Sequence, residues 1–162
     1  DWSTEQREHP VAIRVPGAVI HGEKPTKDYG ILNKYETVQK GSGAAIIALG
    51  TFFGMGKQAA ELIEKKTGVK PTLIDPVYIT GIDEELLESL KKDHKAVITL
   101  EDGILDGGFG EKIARFYGDS DMRTVNFGLK KEFLDRYDAN EVLRQNGITP
   151  EQIADRAAEL VK

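Results

Sequence analysis

The residues most able to do chemistry are three carboxylates that follow short apolar runs. Asp75 follows residues 72–74, and Glu101 and Asp102 follow residues 96–100. Because the carboxyl ends of parallel strands meet at one edge of a sheet, where α/β proteins form their sites, we expect these side chains at that edge. There they would perform acid–base or metal chemistry, or they would cap helix N-termini. No basic residue or histidine stands near them in the sequence, so capping is the favoured interpretation.

A glycine-rich segment leads from the apolar run at residues 96–100 into a helix predicted over residues 111–117. It contains Gly107, Gly108 and Gly110 around Phe109. Glycine is needed where the backbone closely approaches another chain segment or a ligand. Junctions between strands and helices often need glycine for packing alone, so we favour packing over ligand binding.

The same region, residues 103–110, is predicted to contact a second copy of the chain. Ile104, Leu105 and Phe109 stand there among small residues, and we expect their side chains to be exposed. This combination suits the close approach of a twofold-related copy. The predicted interface or structural residues are Glu101, Asp102, Gly107, Gly108, Phe109 and Gly110.

Two other glycine-rich stretches do not match nucleotide-binding motifs. Residues 50–57 follow a predicted strand and precede a helix, but Thr51 stands where a phosphate-binding loop needs its first glycine. Gln58 replaces the hydroxyl that would hold Mg²⁺. The glycines within residues 41–46 precede a strand instead of following it, unlike a dinucleotide fingerprint. Both stretches are predicted to be turns.

The histidines and the absent cysteines exclude several other sites. His9, His21 and His94 are far apart, with no metal-ligand spacing between them. His94 stands in a polar stretch before a strand and is predicted to be solvated. The chain has no cysteine, which excludes disulfides and thiolate metal sites. It also lacks the Gly-x-Ser-x-Gly elbow of α/β hydrolases.

Composition favours one domain that binds neither nucleic acid nor membrane. The chain has 162 residues, of which 40% are hydrophobic and 30% charged, with a net charge of -5. Phosphate neutralisation supplies most non-specific affinity for nucleic acid, so an acidic chain without a basic cluster binds it poorly. No apolar run approaches the ~20 residues of a membrane span. We therefore expect a cytoplasmic protein.

Strands and helices alternate along most of the chain, which indicates β-α-β units. Capping residues support the helices: Asp83 begins one, Gly68 ends another, and Thr149 before Pro150 begins the last. We predict a three-layer α/β/α domain with a mostly parallel sheet. The predicted strands cover residues 35–40 (an edge strand), 44–49, 72–74, 96–100 and 123–127, and residues 50–56 are predicted to be a loop before a helix over 57–67.

The amino-terminal part is organised differently. Residues 11–15 have the apolar character of a strand, and residues 17–33 are typical of a linker because they contain several glycines and prolines. We expect the strand to belong to a preceding domain. The chain opens on Asp1 instead of Met, so we also expect a piece of a longer protein.

Several motifs resemble those of a known family and occur in the same order along the chain. They resemble the C-terminal part of the 1-deoxy-D-xylulose-5-phosphate synthases, which are thiamine-diphosphate enzymes of the transketolase family. Residues 100–110 are the most specific segment of the resemblance. The motifs are His9-Pro-Val-Ala-Ile-Arg14, Tyr35-Glu-Thr-Val-Gln-Lys-Gly41, Ile46-Ile-Ala-Leu-Gly50-Thr51, Leu73-Ile-Asp75-Pro76, Val97-Ile-Thr-Leu-Glu101-Asp102-Gly103 and Gly107-Gly-Phe-Gly110.

The resemblance implies a domain organisation and a role. Residues 1–16 would end the pyrimidine-binding domain, residues 17–33 would be the interdomain linker, and residues 34–162 would form the C-terminal domain. Its sheet would have five strands, with the antiparallel edge strand at residues 35–40. In the family this domain helps to form a homodimer, while thiamine diphosphate, Mg²⁺ and the catalytic residues lie upstream. The fragment itself would be structural, with no catalytic, cofactor-binding or metal-binding residue.

The sequence also departs from the family pattern at two arginines. The synthases usually carry Arg-Tyr-Pro-Arg-Gly where this chain has Arg14-Val-Pro-Gly17, so only Arg14 remains as a candidate substrate-binding residue. They also carry Asp-Pro-Arg-Phe where Val77 replaces the arginine. The resemblance therefore implies a relative with a different aldehyde acceptor. The alternative is a free-standing α/β module that binds a partner or a small ligand without catalysis.

Overall fold

A computed structural model describes residues 2–5, 7–13 and 31–161. After a four-residue helix near the amino terminus come two consecutive strands, then helices and strands in alternation, and finally two consecutive helices. The strands are β1 (Glu36–Gln39), β2 (Gly43–Ala48), β3 (Thr72–Asp75), β4 (His94–Ile104) and β5 (Arg123–Leu129). The helices are α1 (Trp2–Glu5), α2 (Phe53–Thr67), α3 (Glu84–Leu90), α4 (Phe109–Tyr117), α5 (Ala139–Gln145) and α6 (Pro150–Leu160), with a 3₁₀ turn at Gly50–Phe52.

The five strands form one sheet in the order β1-β3-β2-β4-β5. Strands β2 to β5 pair in parallel, and β1 pairs antiparallel with β3. The mostly parallel sheet with an antiparallel edge strand was predicted and is confirmed. The end of the sheet where β2 to β5 finish and β1 begins is called the carboxyl edge below, and the opposite end the amino edge.

Two apolar cores cover the two faces of the sheet. Side chains alternate along a strand, so neighbouring residues of β2 face opposite layers. Ile46 packs in the core beneath α2 and α6, and Ile47 packs in the core beneath α3 and α4. In β4, Ile98 and Val97 divide between the two cores in the same way. The predicted three-layer α/β/α architecture is confirmed.

Local capping signals decide where several helices begin and end. The Asp83 carboxylate accepts a hydrogen bond from the Leu86 N–H at the start of α3, and the Thr149 hydroxyl does the same for Gln152 in α6. Gly68 ends α2 at a φ of 73°, a left-handed conformation that favours glycine. These caps were predicted from residue type alone and are confirmed.

Two element boundaries were predicted wrongly. Residues 50–56 are not a loop, because the 3₁₀ turn runs into α2 at Phe53. Gly56 belongs to that helix, and a Cβ there would lie 2.8 Å from the Ala48 Cβ, so this glycine allows the helix to pack on β2. Strand β4 also continues beyond its predicted end at residue 100 to Ile104, with an irregular register against β5 beyond Leu100.

The amino-terminal predictions are only partly covered by the described residues. Val11, Ala12 and Ile13 of the predicted strand are exposed and form no strand. A strand needs a hydrogen-bonded neighbour, and among the described residues these three have none. Most of the predicted linker, residues 17–33, lies outside the described residues, so that boundary stays a prediction.

Buried tyrosines predict alkaline sensitivity. The Tyr117 hydroxyl donates to the Leu87 carbonyl oxygen at 2.7 Å, and burial raises the pKa of Tyr117 and of Tyr35 above the ordinary value near 10. Because the pKa is raised in the folded state, the unfolded chain loses its phenolic protons first as pH rises. The contribution of the two tyrosines to the free energy of unfolding is therefore fully present below about pH 10 and is lost as pH rises further. In urea unfolding at pH 8–11, the free energy of unfolding should fall less with rising pH for Tyr117→Phe than for the unchanged chain. The matched control Tyr137→Phe, at an exposed position, should show the same dependence of the free energy of unfolding on pH as the unchanged chain. Equal pH dependence in the unchanged chain and both variants would contradict the prediction.

Candidate functional site

Glu101 connects β4 to the start of α4 at the carboxyl edge. Its side chain is buried, with 5% relative exposure. One carboxylate oxygen accepts the Phe109 N–H at 2.7 Å and the other accepts the Gly110 N–H at 3.2 Å. These donors are among those that a helix N-terminus leaves unpaired, and the helix dipole favours a negative charge there. The predicted capping role is therefore confirmed for Glu101.

Gly108 and Gly110 allow α4 to pack against the sheet, whereas Gly107 has a φ of 73° and a Cβ there would meet no atom within 4 Å. A Cβ on Gly108 would lie 2.4 Å from a Glu101 carboxylate oxygen. A Cβ on Gly110 would lie 2.6 Å from the Asn126 Cγ and 2.7 Å from the Thr99 Oγ1, two side chains that hydrogen-bond each other. These contacts confirm the packing interpretation for Gly108 and Gly110, and Gly107 instead adopts the left-handed conformation that favours glycine.

Removing the Glu101 carboxylate should destabilise the domain. Glu101→Ala leaves two N–H groups without their acceptor, and we expect a loss of about 2–3 kcal/mol in the free energy of unfolding. Glu101→Gln retains one oxygen acceptor and should lose less. Asp106→Asn is the matched control, because Asp106 is exposed and should change stability by no more than about 0.5 kcal/mol. Urea unfolding measures all three, and a Glu101→Ala variant as stable as the control would contradict the capping role.

Phe109 is not exposed, contrary to prediction. Its side chain has 4% relative exposure and packs in the core beneath α3 and α4. Its ring centroid lies 6.2 Å from that of Tyr35. The reason is its position as the first residue of α4, which Glu101 fixes against β4. Leu105 is half-buried and Ile104 is 43% exposed; the predicted contact of residues 103–110 with a second copy stays a prediction.

The three carboxylates do not form one chemical cluster. Strand β2 lies between β3 and β4, so Asp75 and Glu101 stand on strands about 10 Å apart. The Asp75 carboxylate accepts the Val77 N–H at 3.0 Å in a tight turn, and Asp102 is exposed. Among the described residues, no group of three or more His, Cys, Asp or Glu side chains is placed to hold a metal ion.

His94 is buried, and the prediction that it is solvated is wrong. Its Nδ1 lies 2.6 Å from the Asp93 carboxylate and 3.1 Å from the Leu90 carbonyl oxygen, and its Nε2 lies 2.8 Å from the Thr72 hydroxyl. The Asp93 carboxylate and the Leu90 carbonyl oxygen both accept, so Nδ1 is the donor on this side of the ring, and in the neutral ring Nε2 accepts from the Thr72 hydroxyl. The Thr72 oxygen also accepts the Gly41 N–H at 3.0 Å. His94 thus joins α3, β3 and β4, which its polar sequence neighbours did not indicate. His9 is exposed and His21 lies outside the described residues.

The segment entering β1 is fixed to the loop before α3, a feature that the sequence analysis missed. Besides capping α3, the buried Asp83 accepts the Tyr35 N–H at 3.1 Å. The Lys34 ammonium lies 2.8 Å from Glu85 and 3.3 Å from Asp83, and these hydrogen bonds raise the pKa of Lys34. The Asn33 side-chain oxygen accepts the Gly81 N–H at 3.0 Å.

The loop between β3 and α3 is also held from α4. The Lys112 ammonium donates to the carbonyl oxygens of Ile79 and Thr80, at 2.8 and 3.2 Å. Val77 in this loop has a φ of 56°, which is unusual for a β-branched residue and indicates a strained turn. This is the position where the resemblance expects an arginine. Arg14 and Gly17, at the other departure, lie outside the described residues.

The sequence profile described as "Transketolase, C-terminal domain" matches residues 33–153, which is most of the chain. The chain belongs to this family. Its fold agrees with solved members: the chain described as "Split gene transketolase, inactive beta4 tetramer" superposes with a TM-score of 0.70 at 22% identity, over 80% of this chain and 44% of that one. A transketolase from Pichia stipitis in complex with sedoheptulose-7-phosphate superposes with a TM-score of 0.55 at 21% identity, over 80% of this chain and 18% of that one.

Curated relatives of this transketolase C-terminal domain are synthases. It is 31% identical over 150 residues to the 1-deoxy-D-xylulose-5-phosphate synthase of Shouchella clausii (strain KSM-K16), covering 90% of this chain and 24% of that protein. It is 32% identical over 158 residues to that of Clostridium perfringens (strain SM101 / Type A), covering 94% of this chain and 25% of that protein. The chain thus spans about a quarter of the length of these relatives. Within its described residues, no helix combines the length and apolar character that crossing a membrane requires.

Proposed function

We propose that this chain is the C-terminal domain of a thiamine-diphosphate-dependent transferase similar to 1-deoxy-D-xylulose-5-phosphate synthase. Such an enzyme transfers a two-carbon unit from a 2-keto donor to an aldehyde acceptor. The observation that carries the proposal is the identity of 31–32% to two such synthases over at least 90% of this chain. Because the chain spans a quarter of their length, the activity belongs to the whole enzyme.

Within that enzyme, this domain has a structural role. Its buried carboxylates are engaged by backbone donors: Glu101 caps α4, and Asp83 caps α3 and holds the Tyr35 N–H. In the part of the chain that the structure describes, no group of three or more His, Cys, Asp or Glu side chains is placed to hold a metal ion. From the resemblance to the synthases, we propose that thiamine diphosphate, its Mg²⁺ and the catalytic residues lie in the part of the enzyme that precedes this chain. The whole enzyme acts as a cytoplasmic homodimer.

The test compares the 162-residue chain with the longer polypeptide encoded together with it. The longer protein includes the polypeptide encoded upstream of this chain. When that polypeptide is encoded by a neighbouring gene, the two are co-expressed. Isothermal titration should detect thiamine diphosphate binding in the presence of Mg²⁺ for the longer protein only, together with turnover of a 2-keto donor and an aldehyde. Lack of any accompanying sequence, or a longer protein without thiamine-dependent turnover, would refute the proposal.

The two missing arginines predict weak use of a phosphorylated acceptor. Each charge-assisted hydrogen bond from arginine to phosphate contributes roughly 1.5–3 kcal/mol, so losing a bidentate contact lowers kcat/KM on the order of 10²-fold. We expect the longer enzyme to favour glyceraldehyde over glyceraldehyde 3-phosphate, and Gly17→Arg to improve kcat/KM for the phosphorylated acceptor. Initial-rate kinetics with both aldehydes provides the measurement. If the unchanged enzyme has a KM for glyceraldehyde 3-phosphate within the usual ~1 μM–1 mM, the prediction is wrong.

A further inference from the structure

Asn146 and Gly147 lie where helix α5 ends, and they place an asparagine directly before a glycine. The other asparagines of the chain, Asn33, Asn126 and Asn140, precede lysine, phenylalanine and glutamate. Gly147 has a φ of 76°, and a Cβ there would meet no atom within 4 Å. Because glycine carries no side chain, its backbone nitrogen is open to the asparagine side chain that precedes it. This pair is therefore suited to an intramolecular reaction that the bulkier neighbours of the other three asparagines hinder.

The reaction is the loss of the side-chain amide as ammonia. The Gly147 backbone nitrogen gives up its proton to hydroxide, and its electron pair forms a bond to the Asn146 Cγ. The Cγ–Nδ2 bond breaks, the amide nitrogen takes a proton from water and leaves as ammonia, and a succinimide ring remains. Water then opens this ring at either carbonyl carbon, which gives aspartate or isoaspartate. Because the reacting groups belong to neighbouring residues, the step has the high effective concentration of an intramolecular reaction.

In the folded chain, both reacting groups are held by hydrogen bonds. The Gly147 N–H donates to the Arg144 carbonyl oxygen at 3.2 Å. The Asn146 amide nitrogen donates to the Val142 carbonyl oxygen at 2.8 Å, and the Asn146 Oδ1 accepts the Lys130 N–H at 3.4 Å. The Gly147 nitrogen must lose its proton and the Asn146 side chain must turn toward it, so these bonds have to open before the reaction.

Helix α5 offers a route to this opening that leaves the rest of the domain folded. The helix has 7 residues, none of which is buried, and its Leu143 is only partly buried against the core beneath α2 and α6. A helix of this length is marginal without packing. Segments with few buried apolar contacts open at a small part of the global free energy of unfolding. Local opening of α5 therefore exposes Asn146 and Gly147 to the reaction.

We propose that Asn146 is a site of spontaneous deamidation, reached by local opening of α5. The product changes the end of the helix. A carboxylate has no N–H to donate to the Val142 carbonyl oxygen, and its negative charge lies at the negative end of the α5 dipole. Isoaspartate also adds a carbon to the backbone before the Ile148 N–H, which donates to the Leu143 carbonyl oxygen at 2.8 Å. Both products therefore weaken the connection between α5 and α6.

Peptide mass spectrometry tests the proposal, since it gives a deamidation rate for each asparagine. The folded chain is compared with the chain unfolded in guanidinium chloride, both incubated at mildly alkaline pH. Asp138→Ala removes the carboxylate that accepts the Glu141 N–H at 2.8 Å where α5 begins, and Asp135→Ala is its matched control at an exposed position outside the helix. Glu101→Ala weakens the start of α4 instead, so it distinguishes global unfolding from local opening. Circular dichroism verifies that each variant is folded.

In the folded chain, Asn146 should deamidate faster than the other asparagines, and at least about 10-fold more slowly than in the unfolded chain. Asp138→Ala should raise the Asn146 rate about 5-fold, because losing a helix N-cap shifts the opening equilibrium by about that factor. Asp135→Ala and Glu101→Ala should leave the Asn146 rate unchanged.

Three results would overturn the proposal. The first is a folded chain without product at Asn146 under conditions in which the unfolded chain reacts. The second is an Asp138→Ala rate no higher than that of Asp135→Ala, because the opening of α5 would then not limit the reaction. The third is equal acceleration by Asp138→Ala and Glu101→Ala, which would place the reaction in the globally unfolded chain.

Discussion

Phe109→Ala should lower the free energy of unfolding by about 3–5 kcal/mol, and Phe109→Asp should leave the chain unfolded. The ring has 4% relative exposure and packs in the core beneath α3 and α4, beside Tyr35. Alanine leaves a cavity at that point, and aspartate places an unpaired carboxylate there. Since domains of this kind are stable by only about 5–15 kcal/mol, either change removes a large fraction of the total.

The matched control is Phe133, whose side chain is fully exposed. Phe133→Ala and Phe133→Asp should change stability by no more than about 0.5 kcal/mol, as surface substitutions usually do. Urea unfolding followed by circular dichroism measures all four variants. If Phe109→Asp folds normally and changes only the state of association, then Phe109 is the exposed interface residue that the sequence suggested.

Local patterns account for the part of the fold that the sequence could predict. The caps at Asp83, Gly68 and Thr149 depend on residues within four positions of one another, so residue type alone predicts them. The parallel sheet follows from the alternation of apolar runs and helical stripes. The antiparallel β1 was predicted from its edge-strand pattern together with the family resemblance.

Contacts between distant segments account for the errors. His94 stands among charged residues in the sequence, and its buried partner Thr72 lies 22 residues away. The burial of Phe109 depends on the bonds that Glu101 makes to the start of α4. A pattern of neighbouring residues contains no information about such partners, because the fold brings them together. The capping role of Glu101 was nevertheless predicted, because no basic residue or histidine stands near it in the sequence.

The candidate site shows the same division. The sequence placed Asp75, Glu101 and Asp102 near the carboxyl ends of strands, and the sheet order then separates Asp75 from the other two. Strand order is a property of long-range pairing that no local motif encodes. The attachment of Asn33 and Lys34 to the loop before α3 was missed for this reason also.

Gly41→Ala should lower the free energy of unfolding by about 3 kcal/mol or more, which is at the upper end of what overpacking costs. A Cβ on Gly41 would lie 2.1 Å from the Lys70 carbonyl oxygen and 2.5 Å from the Pro71 carbonyl carbon. Both contacts are backbone atoms just before β3, so no side-chain rotation relieves them. Moving that backbone also disturbs the hydrogen bond from the Gly41 N–H to Thr72, whose hydroxyl in turn bonds His94.

Gly54→Ala supplies the matched control for this substitution. Gly54 lies in the first turn of α2, and a Cβ there would meet no atom within 4 Å. Alanine restricts the unfolded chain more than glycine does and favours the helix, so this variant should be more stable by up to about 1 kcal/mol. The same change, glycine to alanine, is therefore expected to act in opposite directions at the two positions. Urea unfolding of both variants and the unchanged chain measures these differences in the free energy of unfolding. A Gly41→Ala protein within about 1 kcal/mol of the unchanged chain would contradict the prediction and show that the backbone of residues 70 and 71 moves to accept the added methyl group.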